Sequence, residues 1–121
     1  MPTRFAESVS LPEMNIKTNN NEKCETGLEA LRFVDDPEIG LNIVDLGLVY
    51  ELEFGENDAR KVTCTMTFTT EFCPMGESIQ ANTMEALKMA FPGYEVTVNI
   101  TFDPPWTQEM ISELGHLFLG N

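Results

Sequence analysis

The sequence predicts an α+β domain in two layers, built from a small mixed β-sheet of at least three strands with helices covering one of its faces. Three segments alternate apolar and polar residues, which is the period of a half-buried strand. Other segments repeat apolar residues at helical spacing. With 121 residues and 42% hydrophobic content, the chain suffices for one core rather than two. The predicted element order is α-β-β-α-β-α.

The first helix is predicted within residues 23–33. Cys24, Leu28 and Leu31 follow i, i+4, i+7 spacing, which places them on one buried stripe. The preceding residues 1–22 show no sustained period and contain a run of asparagines, so we expect a flexible N-terminal tail in front of a single domain spanning residues 23–121. Alternatively, the tail docks onto a partner through the apolar residues Phe5, Val9 and Leu11.

The three strands are predicted at residues 48–54, 62–69 and 94–102, and a helix is predicted at 76–91. The polar residues 55–61 join the first two strands as an antiparallel hairpin. The helix joins the second strand to the third by a crossover, which favours parallel pairing. The sheet is therefore expected to be mixed.

A last helix is predicted after the two prolines at 104 and 105. Thr107 is a plausible N-cap because threonine accepts a hydrogen bond from the first turn. Met110, Ile111 and Leu114 have the spacing of its buried face.

Charge and cysteine content narrow the classes of partner and compartment. Twenty acidic residues against seven basic ones give a formal net charge of -13, which argues against binding nucleic acid or an anionic membrane surface. No apolar run approaches the roughly 20 residues that a membrane span needs. Three cysteines without a CxxC pair and without an export leader indicate a reducing cytoplasm and no structural disulfide.

Cys73 stands apart from the other cysteines. Cys24 and Cys64 fall on apolar faces, whereas Cys73 lies where the second strand gives way to the second helix. Free backbone N–H groups and the helix dipole favour a thiolate at such a corner. Alternatively, Cys73 is a small apolar residue that helps the turn to pack.

Three groups of motifs stand out when they are taken together. They are Asp36-Pro37-Glu38-Ile39 followed by Asn42 to Tyr50; Thr67 to Pro74; and Asp103-Pro104-Pro105-Trp106-Thr107 with Met110 to Glu113 and Leu119-Gly120. In this order and spacing they resemble the SufT-like iron-sulfur cluster assembly family, also described as metal-sulfur cluster biosynthetic proteins, whose relatives include PaaD-like proteins. The resemblance covers about residues 23–121.

The resemblance implies a small α/β domain that serves iron-sulfur cluster maturation. The characteristic polar cluster of this family falls here on Asp36, Glu38, Thr69, Thr70 and Cys73. Where relatives often carry a small pair such as Pro-Gly before the cysteine, this chain has a glutamate and a phenylalanine, which bring a carboxylate close to the thiol.

A complete metal site is not visible in the sequence. A tetrahedral zinc or iron-sulfur site needs about four thiolate or imidazole ligands. Cys73 would therefore contact iron or an iron-sulfur cluster together with carboxylates, a second subunit or a partner protein. The alternative for Asp36, Thr69 and Thr70, each taken singly, is capping of a helix.

The sequence thus favours a cytoplasmic accessory factor in iron-sulfur cluster assembly or transfer to client proteins, and not an enzyme. The single His116, on or after the last helix, shows no sign of pairing with the thiol. The alternative is an adaptor that binds a maturation or oxygenase complex without touching metal, with Trp106 as a partner surface if it is exposed. The expected partners are the assembly machinery or its clients, and a homodimer is a further alternative.

Overall fold

The computed structural model describes residues 16–57, 59–72 and 74–120. In chain order the elements are β1 (Lys17–Thr18), α1 (Asn21–Leu31), β2 (Asp35–Asp36), β3 (Leu41–Asn42), β4 (Val49–Phe54), β5 (Lys61–Met66), α2 (Gly76–Ala90), β6 (Glu95–Ile100), a 3-10 helix (Gln108–Met110) and α3 (Glu113–Leu119).

The main sheet has four strands in the order β1-β4-β5-β6, and the predicted mixed α+β architecture is confirmed. Strands β4 and β5 form the antiparallel hairpin, while β5 and β6 pair in parallel with Met66 opposite Ile100. Strands β2 and β3 form a separate two-stranded ribbon.

The core lies between the apolar face of the sheet and the helices α1 and α2. Alternate residues of β5, among them Val62, Cys64 and Met66, are fully buried, whereas Thr63 and Thr65 between them are partly exposed. Helix α1 packs closely, since a Cβ added at position 27 would lie 3.2 Å from a methyl group of a buried leucine on β4. Within the described part of the chain, no helix has the length and hydropathy to cross a membrane.

Strand β1 is an element that the sequence pattern did not predict. Lys17–Thr18 pairs in parallel with β4, and the Asn19 side chain exchanges hydrogen bonds with the backbone of Phe54. Asn20 then caps α1 by accepting a hydrogen bond from the Lys23 N–H at 3.0 Å. Residues 16–22 of the predicted tail are therefore structured, and the prediction for residues 1–15 lies outside the described residues.

The C-terminal segment differs from the predicted single helix. Thr107 makes no side-chain capping bond, and the 3-10 turn ends at Ile111, which has extended backbone angles. Ser112 caps α3 instead, because its Oγ accepts a hydrogen bond from the Gly115 N–H at 3.0 Å. The break changes the rotational phase of the helix, so Ile111 is buried as predicted but Leu114 is 68% exposed.

Candidate functional site

The described segments that carry or flank the predicted site residues meet at one end of the sheet, which we call the loop end and define as residues 33–48, 67–72, 74–78 and 101–120. Because β5 runs antiparallel to β4 and parallel to β6, the C-terminal end of β5 lies beside the start of β4 and the C-terminal end of β6. The Thr67 N–H donates to the Leu48 carbonyl at 2.8 Å, and the Thr101 N–H donates to the Met66 carbonyl at 2.9 Å. A hydrogen bond from the Ile43 N–H to the Val34 carbonyl extends the β2–β3 ribbon, and the Leu48 N–H, which donates to the Ile43 carbonyl at 3.0 Å, links the ribbon to the start of β4.

Asp36 is held inside the turn between β2 and β3. It is only 2% exposed, and its Oδ1 accepts a hydrogen bond from the Glu38 N–H at 2.9 Å. The Asp36 carbonyl accepts a second bond from the Gly40 N–H at 2.7 Å. This arrangement is an Asx turn rather than a helix cap. It leaves the Glu38 side chain exposed to solvent.

The two threonines lie in the segment between β5 and α2. Thr69 is half-buried and Thr70 is exposed, with its Oγ1 accepting from the Phe72 N–H at 3.3 Å. Neither threonine caps α2, whose N-cap position, Met75, makes no side-chain capping bond. Cys73 lies outside the described residues, so its grouping with the carboxylates and threonines stays a prediction. Within the described residues, no side-chain hydrogen bond joins either carboxylate to either threonine.

The most connected side chain of the loop end is Asp45, which the sequence reasoning did not single out. It is 7% exposed, and its carboxylate accepts hydrogen bonds from the Asn42 amide at 2.8 Å and the Ser112 hydroxyl at 2.7 Å. The Asp45 N–H in turn donates to Asn42 Oδ1, and Arg32 Nε lies 3.9 Å from Asp45 Oδ2. The Asn-x-x-Asp spacing, similar to a capping box, is the signal that identifies this pair.

Trp106 and Tyr50 complete the attachment of the C-terminal segment. The half-buried Trp106 packs against the core, and its indole N–H donates to the Leu46 carbonyl at 2.7 Å. The Tyr50 hydroxyl donates to the Pro104 carbonyl at 2.8 Å. Burial raises the pKa of Tyr50, an effect opposed by a hydrogen bond with Thr67. The structure thus gives Trp106 a packing role, and its use as a partner surface stays a prediction.

The two core cysteines are poor candidates for thiol chemistry. Cys24 and Cys64 have no exposed surface, as their positions on apolar faces predicted. Burial raises the pKa of Cys64 to about 12, with a smaller contribution from the nearby Cys24. Burial also raises the pKa of Cys24, and a hydrogen bond with Thr18 lowers it by a smaller amount. Both thiols therefore stay protonated at neutral pH, and a protonated thiol is a weak nucleophile and metal ligand.

The described residues alone do not supply a metal centre. Among residues 16–57, 59–72 and 74–120, no group of three or more His, Cys, Asp and Glu side chains is placed to hold a metal ion. His116 is half-buried on α3.

Comparison with solved structures first defines the class of domain. A crystal structure of a domain of unknown function from Bacillus anthracis superposes with a TM-score of 0.74 at 35% identity, covering 81% of this chain and 91% of that one. A conserved hypothetical protein from Thermotoga maritima gives a TM-score of 0.66 at 40% identity, covering 80% and 93%. The chain is thus a small α+β domain of a type found in distant bacteria.

Comparison by sequence then identifies the family. The family model described as "Iron-sulfur cluster assembly protein" matches residues 27–100, and the chain belongs to this family, which confirms the resemblance seen in the sequence. The matched region contains all five residues of the predicted polar cluster. Trp106 and Ser112 fall beyond it.

Curated relatives match over most of their length. The Fe-S protein maturation auxiliary factor SufT of Staphylococcus aureus is 39% identical over 87 residues, covering 72% of this chain and 97% of that protein. The corresponding factor YitW of Bacillus subtilis is 35% identical over 96 residues, covering 79% and 92%. A further Fe-S protein maturation auxiliary factor, from Porphyromonas gingivalis, is 36% identical over 104 residues, covering 84% and 97%.

Proposed function

We propose that this chain is an accessory factor in the maturation of iron-sulfur proteins, acting on clusters that pass to client proteins. The observation that carries the proposal is the family match over residues 27–100, together with relatives named as maturation auxiliary factors. An auxiliary role also agrees with the expectation that the chain is not itself an enzyme.

Cys73 is the residue that we propose contacts the cluster. It is the one cysteine of the chain outside the two that are buried and protonated. Iron-sulfur clusters take thiolate ligands, and the neighbouring loop end offers carboxylate and hydroxyl oxygens. One oxygen of Asp36 is already engaged by the Glu38 N–H, whereas the Glu38 carboxylate is exposed and free to orient or coordinate.

The ligand count implies that the cluster is shared rather than enclosed. A cluster needs about four protein ligands, and one thiolate with an exposed carboxylate falls short of that number. The missing ligands would come from a partner, either the assembly machinery that delivers the cluster or the client that receives it. In this scheme the cluster is cargo, held only while both proteins are in contact.

Anaerobic reconstitution with iron and sulfide tests the thiol contact. We expect the wild-type chain mixed with a client apoprotein to give charge-transfer absorbance and a Mössbauer signal that Cys73→Ala lacks. Thr26→Ala, which changes an exposed residue on α1, serves as the control. Identical spectra for wild type and Cys73→Ala would remove the cluster-contact claim.

The same variants test the role in the cell. In a strain of the host organism without this gene, the wild-type chain should restore the activity of a cluster enzyme such as aconitase, and Cys73→Ala should restore much less. If Cys73→Ala restores full activity, the chain acts as an adaptor without metal contact. If the wild-type chain restores none, the maturation role itself is wrong.

A further inference from the structure

Charge is distributed unevenly over the molecule. The loop end contains nine Asp and Glu residues and neither Lys nor Arg. Seven of those carboxylates are exposed, the exceptions being Asp36 and Asp45. Arg32 is the nearest cation along the chain, and it pairs with Asp45. The potential at the loop end is therefore negative and mostly uncompensated.

Exposed apolar side chains concentrate in the same segments. Of the seven large apolar side chains that are exposed in the described residues, six belong to the loop end: Phe33, Phe72, Met75, Leu114, Leu117 and Phe118. The seventh, Met89, lies near the C-terminal end of α2. Exposed apolar side chains that lie among exposed charged residues are typical of a protein interaction site.

Helix α3 carries three of these exposed side chains on the face that points away from the rest of the domain. Its inner face is fixed by Gly115, where an added Cβ would lie 3.0 Å from Leu41 Cδ2 and 2.7 Å from Ile111 Cγ2. Leu114, Leu117 and Phe118 are spaced i, i+3, i+4 and form the outer stripe. They are 66–73% exposed. An apolar stripe on the solvent side of a short helix is unfavourable unless something covers it.

We propose that the loop end, with the outer stripe of α3 at its centre, binds a basic amphipathic segment of a partner protein. Such a segment would lay apolar side chains on Leu114, Leu117 and Phe118 while its Lys and Arg side chains face carboxylates such as Glu109 and Glu113. The inference rests on the proposed function and specifies the chemistry of the partner.

The negative charge of the loop end favours a basic partner segment over two other occupants, which are a second copy of the chain and residues 1–15 of the same chain. A second copy would bring another net charge of -13 and the same acidic surface against the first. Residues 1–15 of this chain contain one Arg and two Glu, so their side chains offer no net positive charge to complement the surface. A cationic partner gains both the apolar contact and the electrostatic attraction.

Calorimetric titration of the full chain with two synthetic peptides tests the inference. One peptide repeats Leu and Lys in a helical amphipathic pattern, and the other has Glu in place of Lys. We expect the Leu–Lys peptide to bind, more weakly as NaCl is raised, and the Leu–Glu peptide not to bind. Equal binding of both peptides would overturn the inference.

Matched variants locate the binding surface. Leu117→Gln should weaken Leu–Lys peptide binding about tenfold, while Met89→Gln, an equally exposed apolar position outside the loop end, should leave it unchanged. Glu113→Gln should weaken binding more than Glu85→Gln, an exposed carboxylate on α2. Phe118→Ser is a second variant of the stripe if Leu117→Gln folds poorly. Equal effects at Leu117 and Met89 would overturn the inference.

Two results would assign the surface to another occupant and overturn the inference. One is a dimer in analytical ultracentrifugation that Leu117→Gln dissociates. The other is a large gain in peptide affinity when Phe5 and Leu11 are changed to Ser, which would show that the N-terminal residues compete for the surface.

The cell assay separates this inference from the proposed function. Leu117→Gln should fail to restore aconitase activity, while Met89→Gln should restore it. If wild type and Leu117→Gln restore it equally, the docking surface is wrong and the maturation role stands. If the wild-type chain itself fails, the maturation role is wrong, and the peptide titration still decides the surface chemistry.

Discussion

Two loops that carry motif residues, 42–47 and 69–75, differ in burial and in hydrogen bonding. In the loop 42–47, Asp45 is buried and accepts hydrogen bonds from Asn42 of the same loop and from Ser112 of the C-terminal segment. In the loop 69–75, the described residues other than Thr69 are exposed, and one side-chain hydrogen bond, accepted by Thr70, is present among them.

The difference between the two loops distinguishes motif residues that stabilise the fold from motif residues that the fold does not require. The loop 42–47 holds the C-terminal segment onto the sheet, so its residue types are explained by folding alone. The loop 69–75 has exposed polar and apolar side chains that folding does not explain, which is what a surface that meets other molecules requires. The sequence motifs of a family can therefore contain residues that serve the fold as well as residues that are candidates for function.

The largest effect should come from Asp45→Ala. The change leaves the Ser112 hydroxyl and the Asn42 amide without their acceptor, and an abandoned buried polar group costs about 1–3 kcal/mol. We expect the free energy of unfolding, measured in urea, to fall by about 3 kcal/mol. Glu71→Ala in the exposed loop should change it by less than about 0.5 kcal/mol. Equal losses at the two positions would abolish the contrast between the loops.

The next effect should come from Gly47→Ala. Gly47 has φ +82°, and an added Cβ would lie 2.3 Å from the Met110 carbonyl oxygen. Gly40 has the same φ but nothing within 4 Å of an added Cβ, so Gly40→Ala measures the backbone strain alone. We expect about 1 kcal/mol of destabilisation at Gly40 and at least about 2 kcal/mol at Gly47. Similar values would mean that the segments do not pack as described.

The free energy of unfolding should also depend on pH through Cys64, which lies in the core and not in either loop. Folding raises the pKa of Cys64 from 9.0 to about 12, so folding favours the protonated thiol. Stability from this group is fully present below pH 9 and is lost as the pH rises toward 12. Between pH 8 and 10.5, the wild-type chain should lose more free energy of unfolding than Cys64→Val. Parallel losses in urea titrations would contradict the pKa shift.

The smallest effect on stability should come from Thr70→Val in the exposed loop. Its hydroxyl accepts a single long hydrogen bond at 3.3 Å near solvent, so we expect a change below about 0.5 kcal/mol. If the hydroxyl shapes the surroundings of Cys73, the same variant should change the rate at which Cys73 reacts with a disulfide reagent. A large loss of stability would instead make Thr70 a structural residue.

The periodic elements could be predicted because each buries one face. The helix around Cys24 and Leu28, and the strands around Cys64 and Val98, repeat apolar residues over enough positions to define a period. Strand β1 has only two residues and depends on the Asn19 side chain pairing with a distant backbone, so it has no period to detect.

The C-terminal helix shows a different limit. Met110, Ile111 and Leu114 fit a single helix, but the pattern does not reveal that Ser112 breaks it. That break depends on a hydrogen bond from Ser112 to Asp45, 67 positions earlier in the chain. For the site, the sequence identified Asp36 and the two threonines as polar residues near one corner. It did not reveal that Asp45, rather than any of these, organises the polar contacts.

The bond between Ser112 and Asp45 also sets an order of events during synthesis. At roughly 5–20 residues per second, Ser112 is made about 3–13 s after Asp45. Until then Asp45 lacks its C-terminal partner, whereas α1, β4, β5, α2 and β6 have all been synthesised by the time Ser112 is added. Helix α3 is the last element of the domain to be synthesised, so the docking surface that we propose on it can form only after the sheet and the other helices have been made.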